Sequence, residues 1–77
     1  MEYYTYIPVV IDFISHNYIR TNDKKERTNR KDIYNTFVDK YGSMCSPVVF
    51  YHIVRTNLEK IEEFRTTGGW HYKLKKL

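Results

Sequence analysis

The spacing of apolar residues changes once along this chain, near residue 61, and no other feature limits its fold as tightly. Upstream, apolar side chains recur every three to four positions in three separate segments, the interval that places them on one face of a helix. Downstream they alternate with polar ones, the interval of a half-buried strand. The expectation is an α+β domain with its helices first and a β-hairpin last.

Residues 1–7 read as a tyrosine-rich lead-in and residues 8–77 as the domain. Pro8 suits a first helical turn, where its missing N–H is not needed. Ile7, Val10, Ile11, Ile14 and Tyr18 then mark the buried stripe of a helix expected to end near Arg20. Thr21 to Asn29 holds no apolar residue and shows only a weak signal for a short third strand. Thr28 or Asn29 can cap a second helix over Arg30 to Tyr41, and Gly42 marks its stop. Ile33, Tyr34, Phe37, Val38 and Tyr41 form its apolar face. Ser46-Pro47, a cap followed by a first-turn proline, opens a third helix through about Lys60, buried along Phe50, Ile53, Val54 and Leu58.

Ile61 to Arg65 is strand-like, and Thr66-Thr67-Gly68-Gly69 is a turn, because adjacent glycines accept positive φ. Trp70, Tyr72 and Leu74 then alternate with His71, Lys73 and Lys75. This pattern puts Trp70 in the core and the basic side chains toward solvent. Three short helices followed by a β-hairpin is the order of a winged helix.

A chain of 77 residues needs large side chains to close a core, and eight tyrosines, four phenylalanines and one tryptophan supply them. The lone Cys45 allows no internal disulfide and fits a reducing compartment. No apolar run approaches a membrane span, and no secretory leader precedes the domain, so an intracellular location is expected, in a host cytoplasm or at a viral replication site. A monomer or weak dimer is expected, because no long heptad pattern is present.

The formal charge is +4, and it is unevenly placed. Arg20, Lys24, Lys25, Arg27, Arg30 and Lys31 face only Asp23 and Glu26 in their segment, and Arg65, Lys73, Lys75 and Lys76 face no acid in theirs. The open face of the third helix carries Tyr51, His52, Arg55 and Thr56, able to donate to phosphate or base edges. That set is thinly charged for a sequence reader and suits phosphate-dominated binding. Arg30, Lys31, Tyr51, His52, Arg55, Arg65, His71, Lys73, Lys75 and Lys76 are thus the candidate nucleic-acid contacts. The same lysines on a hairpin edge would also block edge-to-edge aggregation.

No catalytic, metal or cofactor site is expected. The three histidines and Cys45 lack ligand spacing, no glycine-rich phosphate loop is present, and Cys45 reads as a buried thiol.

The run Asn29-Arg30-Lys31-Asp32-Ile33-Tyr34-x-x-Phe37 is similar to the second-helix motif of the small winged-helix domain that ends viral and phage primase–helicases of the poxvirus type. Phe50 corresponds to that family's core Phe in the next helix. Gly68-Gly69-Trp70-x-Tyr72 resembles its wing, and Lys75-Lys76-Leu77 its basic-aliphatic tail. The resemblance implies an accessory domain of a multi-domain, hexameric ATPase that unwinds DNA, whose Walker motifs this sequence lacks. It implies DNA as ligand, single-stranded, duplex or forked, with replication proteins as further partners. A protein-docking winged helix and a free-standing viral or phage DNA-binding regulator are the competing expectations.

Overall fold

The computed structural model describes residues 3–58 and 61–77. A 3-10 turn over Tyr3–Tyr6 leads into α1 (Ile7–Asn17), then β1 (Tyr18–Arg20), a 3-10 turn at Lys24–Glu26 and β2 (Thr28–Asn29). Helices α2 (Arg30–Tyr41) and α3 (Pro47–Asn57) follow, and β3 (Glu63–Thr66), β4 (Gly69–Tyr72) and β5 (Leu74–Lys76) complete a mixed α+β architecture. None of the described helices is long and apolar enough to cross a membrane.

The helices start and stop where local chemistry requires. Asn29 accepts from the Lys31 N–H at 2.8 Å and Ser46 from the Val49 N–H at 3.2 Å, each satisfying a donor that an α-helix leaves orphaned. Gly42 ends α2 at φ 78, a left-handed conformation that glycine adopts without a Cβ clash, and its N–H donates to the Val38 carbonyl. Tyr34 donates to the Cys45 carbonyl at 2.7 Å, fixing the loop between α2 and α3.

Two expectations about α1 are corrected. The helix ends at Asn17, because the next three residues pair antiparallel with β5: Tyr18 with Lys76, Ile19 with Lys75 and Arg20 with Leu74. In this extended backbone Tyr18 turns inward and Ile19 outward. Phe13, absent from the expected stripe, is 1% exposed and sits at the centre of the core, whereas Ile11 is only half-buried.

Two more boundaries move. Helix α3 closes at Asn57 with Leu58 as its cap, so Leu58 is partly buried beside the core instead of within it. The hairpin strand begins at Glu63, and of the two glycines Gly69 is the one with positive φ, at 112. The expectation that helix three runs to Lys60 falls partly outside the described residues.

Strand β4 is the centre of a three-stranded antiparallel sheet in the order β2-β4-β3, and β1 with β5 forms a second sheet. The polar segment before α2 thus supplies one short strand, β2, and β1 lies just ahead of that segment. Lys73 joins the sheets: its N–H donates to Glu62 and its carbonyl accepts from Thr21.

The core draws on every helix. Phe13, Phe37 and Phe50 pack edge-on or tilted with centroids 4.9 to 6.5 Å apart, geometry that aromatic quadrupoles favour. Val10, Ile33, Ile53 and Val54 surround them, and Tyr72 and Leu74 close the core from the sheet side. Trp70 does not join it. Although it shares an alternation with Tyr72 and Leu74, it is 40% exposed at the hairpin tip, whereas Tyr72 is 1% exposed.

Candidate nucleic-acid interface

Three elements converge on one surface: the start of α2, the outward face of α3 and the tip of the β3–β4 hairpin. Asn29 ties the first to the third, because its carbonyl oxygen caps α2 while its amide donates to the Gly68 carbonyl at 3.3 Å. Arg30 joins all three. Its guanidinium donates to Glu63 of β3 at 2.9 Å and lies 4.2 Å from the Tyr51 ring centroid and 5.6 Å from that of Trp70. Both rings present an electron-rich face to the cation.

The electrostatics follow from this pairing. Glu63 is largely covered and engages Arg30 closely, while Arg55 approaches it at 3.9 Å with 57% of its own side chain exposed. One carboxylate therefore offsets one of two guanidiniums. Lys31 and Arg65 are exposed on the same elements and add positive charge. Arg65 faces Trp70 across the hairpin, so the two side chains leave the same side of the sheet. Burial pushes the Tyr51 phenol above its ordinary range against the opposing influence of Arg30, so it is neutral near pH 7.

Two clefts share Arg30 and Tyr51. One, of about 540 Å³, runs between the start of α2 and Trp70 and includes Asn29, Lys31, Asn35 and the turn glycines. The other, of about 370 Å³, follows α3 past Val48, His52 and Arg55. His52 and Arg55 are exposed on α3, whereas Tyr51 is half-buried against Tyr34 and Phe50, and the fold brings Arg30 beside all three.

Other expected contacts are corrected. His71 is buried: its ring stacks on Phe64 with centroids 5.9 Å apart, and its Nδ1 lies 3.1 Å from the Gly69 carbonyl oxygen. The outer sheet face is covered there by its own cross-strand neighbour. Lys73 keeps only 17% of its side chain exposed and pairs with Glu62, so it does not project freely from the hairpin. Lys75 pairs with Glu26 at 2.9 Å, and Lys76 is exposed on the same strand. Lys75 and Lys76 stand on β5, which pairs with β1 in the other sheet, whereas Trp70 stands on β4 at the hairpin tip. They belong to a second patch.

Trp70 itself was missed as a surface residue. The signal was the Gly-Gly immediately before it, which puts the indole next to the tight turn at the hairpin tip, away from the centre of the core. Burial raises the Cys45 thiol pKa, the behaviour of an inert structural cysteine. Among the described residues, no three His, Cys, Asp or Glu side chains gather as metal ligands.

No protein-family model, curated protein or solved structure matches this chain.

Proposed function

We propose that this chain is a winged-helix module that binds nucleic acid without catalysing a reaction, using α3 as the recognition helix and the β3–β4 hairpin as the wing. The fold part of the proposal draws support from the element order. A strand between α1 and α2 joins the C-terminal hairpin in the order β2-β4-β3, so three helices accompany a small sheet that contains the hairpin, beside the β1–β5 pair.

The observation that carries the binding part is the set of cations Lys31, Arg55 and Arg65 around Glu63, a carboxylate already engaged by Arg30. Cations with water-exposed ends on rigid elements can reach phosphates and release counterions. The parent protein we propose, a viral helicase–primase, rests on the motif from Asn29 to Phe37 and on the Gly68-Gly69-Trp70-x-Tyr72 wing.

A salt titration with single-stranded, duplex and forked DNA tests the reading. With three to four phosphate contacts, log affinity should fall against log salt with a slope of about −2 to −4, at similar affinity for unrelated sequences. Absence of binding by the folded chain at low salt refutes it. A sharp sequence preference would instead identify an operator-binding regulator.

One observation favours protein docking as the second reading: Val48, on the outward face of α3, is 76% exposed. An apolar side chain there suits a protein partner, whose binding would persist at salt concentrations that abolish phosphate contacts.

A further inference from the structure

We propose that the cleft between the start of α2 and Trp70 receives one unstacked base of a single DNA strand, which stacks on the Trp70 indole on the side away from Arg30 while its flanking phosphate lies against Lys31. The inference rests on the nucleic-acid reading above and specifies its ligand.

Three features of the cleft lead to this occupant. The first is an aromatic ring presented to solvent by rigid backbone. Trp70 pairs across the hairpin with Arg65, follows Gly69 at positive φ, and is 40% exposed although its neighbour on the same sheet face is buried. A ring so placed gains from stacking with a planar partner, and every base has a π-face.

The second feature is that the cleft is formed in advance. Glu63 holds Arg30 in place and Asn29 holds the turn to the start of α2, so both walls are fixed before a ligand arrives. Little ordering cost remains for binding.

The third is the chemistry around the ring. Lys31 is a cation at the rim, while Asn35 brings an amide group that can both donate to and accept from a base edge. An acidic peptide would use the lysine but leave the indole face without an aromatic partner to stack on. A base inside a duplex is already stacked on both sides and would have to be extruded first, so the cleft discriminates for single strands and fork junctions.

Trp70 is the sole tryptophan in the sequence, so its fluorescence reports on this site alone. The test titrates the intact chain with oligothymidylate, with a blunt duplex and with a poly-glutamate peptide. Tryptophan emission and the anisotropy of a labelled oligonucleotide are followed together. Oligothymidylate should quench Trp70 saturably, while the duplex should bind by anisotropy with little quenching. Trp70→Ala should weaken oligothymidylate binding by about 5- to 100-fold and leave duplex affinity within about twofold, with Trp70→Phe recovering much of the loss.

Oligothymidylate binding without quenching overturns the cleft assignment and leaves the nucleic-acid reading standing. Equal losses for single strand and duplex in Trp70→Ala do the same. Quenching by poly-glutamate but not by DNA makes the cleft a protein-docking site and overturns the proposal. Absence of any DNA binding at low salt removes the cleft assignment and the parent reading together.

Discussion

Replacing Phe50 with Ala tests the core directly. Phe50 is 0% exposed and touches four other rings: Phe37 at 4.9 Å, Tyr34 at 5.4 Å, Tyr51 at 6.0 Å and Phe13 at 6.5 Å between centroids. Truncation removes the ring's burial and leaves a cavity bordered by stiff aromatic side chains that cannot collapse into it, which places the cost at about 3–5 kcal/mol. A single core this small rarely supplies more than about 3–5 kcal/mol in total, so most of the stability should go. At about 4–8 °C per kcal/mol, the midpoint of a far-ultraviolet circular dichroism melt should fall by about 15–40 °C. Phe50→Leu, which refills part of the volume, should fall in between and keep a measurable transition. Trp70→Ala is the contrast: a larger ring, but two-fifths exposed, whose removal should cost only about 1–2 kcal/mol. A Phe50→Ala protein melting within a few degrees of the parent, or a Trp70→Ala protein that loses more than Phe50→Ala, would refute the assignment of α3 to the core.

Tyr72→Phe should leave the protein as stable or stabilise it by up to about 2 kcal/mol in urea denaturation. Among the described residues the buried Tyr72 hydroxyl finds no hydrogen-bond partner, so removing it relieves a desolvation cost. The same burial raises the Tyr72 pKa above its ordinary value of 10.0, so the stability held by the neutral phenol is fully present below that pH and is lost as pH climbs beyond it; Tyr72→Phe should blunt that alkaline loss. Neutralising Lys31 and Arg65 together should flatten the salt slope of DNA binding by about 1–2 units, whereas Lys75→Ala with Lys76→Ala should change it less, because those lysines occupy the distant patch and Lys75 already pairs with Glu26. Hydrogen bonds from Lys75 and Thr21 lower the Glu26 carboxyl pKa, so the link between the 3-10 turn and β5 is intact above the usual carboxylate range and breaks as pH falls through the lowered value. An NMR titration should place the Glu26 midpoint below 4.5, and Lys75→Ala should return it toward that figure.

What the sequence determined on its own is whatever neighbours within about four residues decide. The Asn29 cap, the Ser46-Pro47 start and the Gly42 stop set α2 and the beginning of α3, because each satisfies a donor or a backbone angle inside its own turn. The helical period through Phe50, Ile53 and Val54 likewise turns His52 and Arg55 outward. Tertiary structure decided the rest. Tyr18 to Arg20 continue a helical pattern, yet they form a strand because their backbone partners wait at Leu74 to Lys76, near the other end of the sequence. Lys73 and His71 alternate as solvent-facing residues should, yet Glu62 and Phe64 from the adjoining segment cover them. Arg30 looks like one more exposed cation, but Glu63 and two aromatic rings fix it at the junction of three elements. Period and capping report which way a side chain leaves its own element. They carry no information about what another element places there, such as the Arg30 guanidinium of α2 over the Trp70 ring.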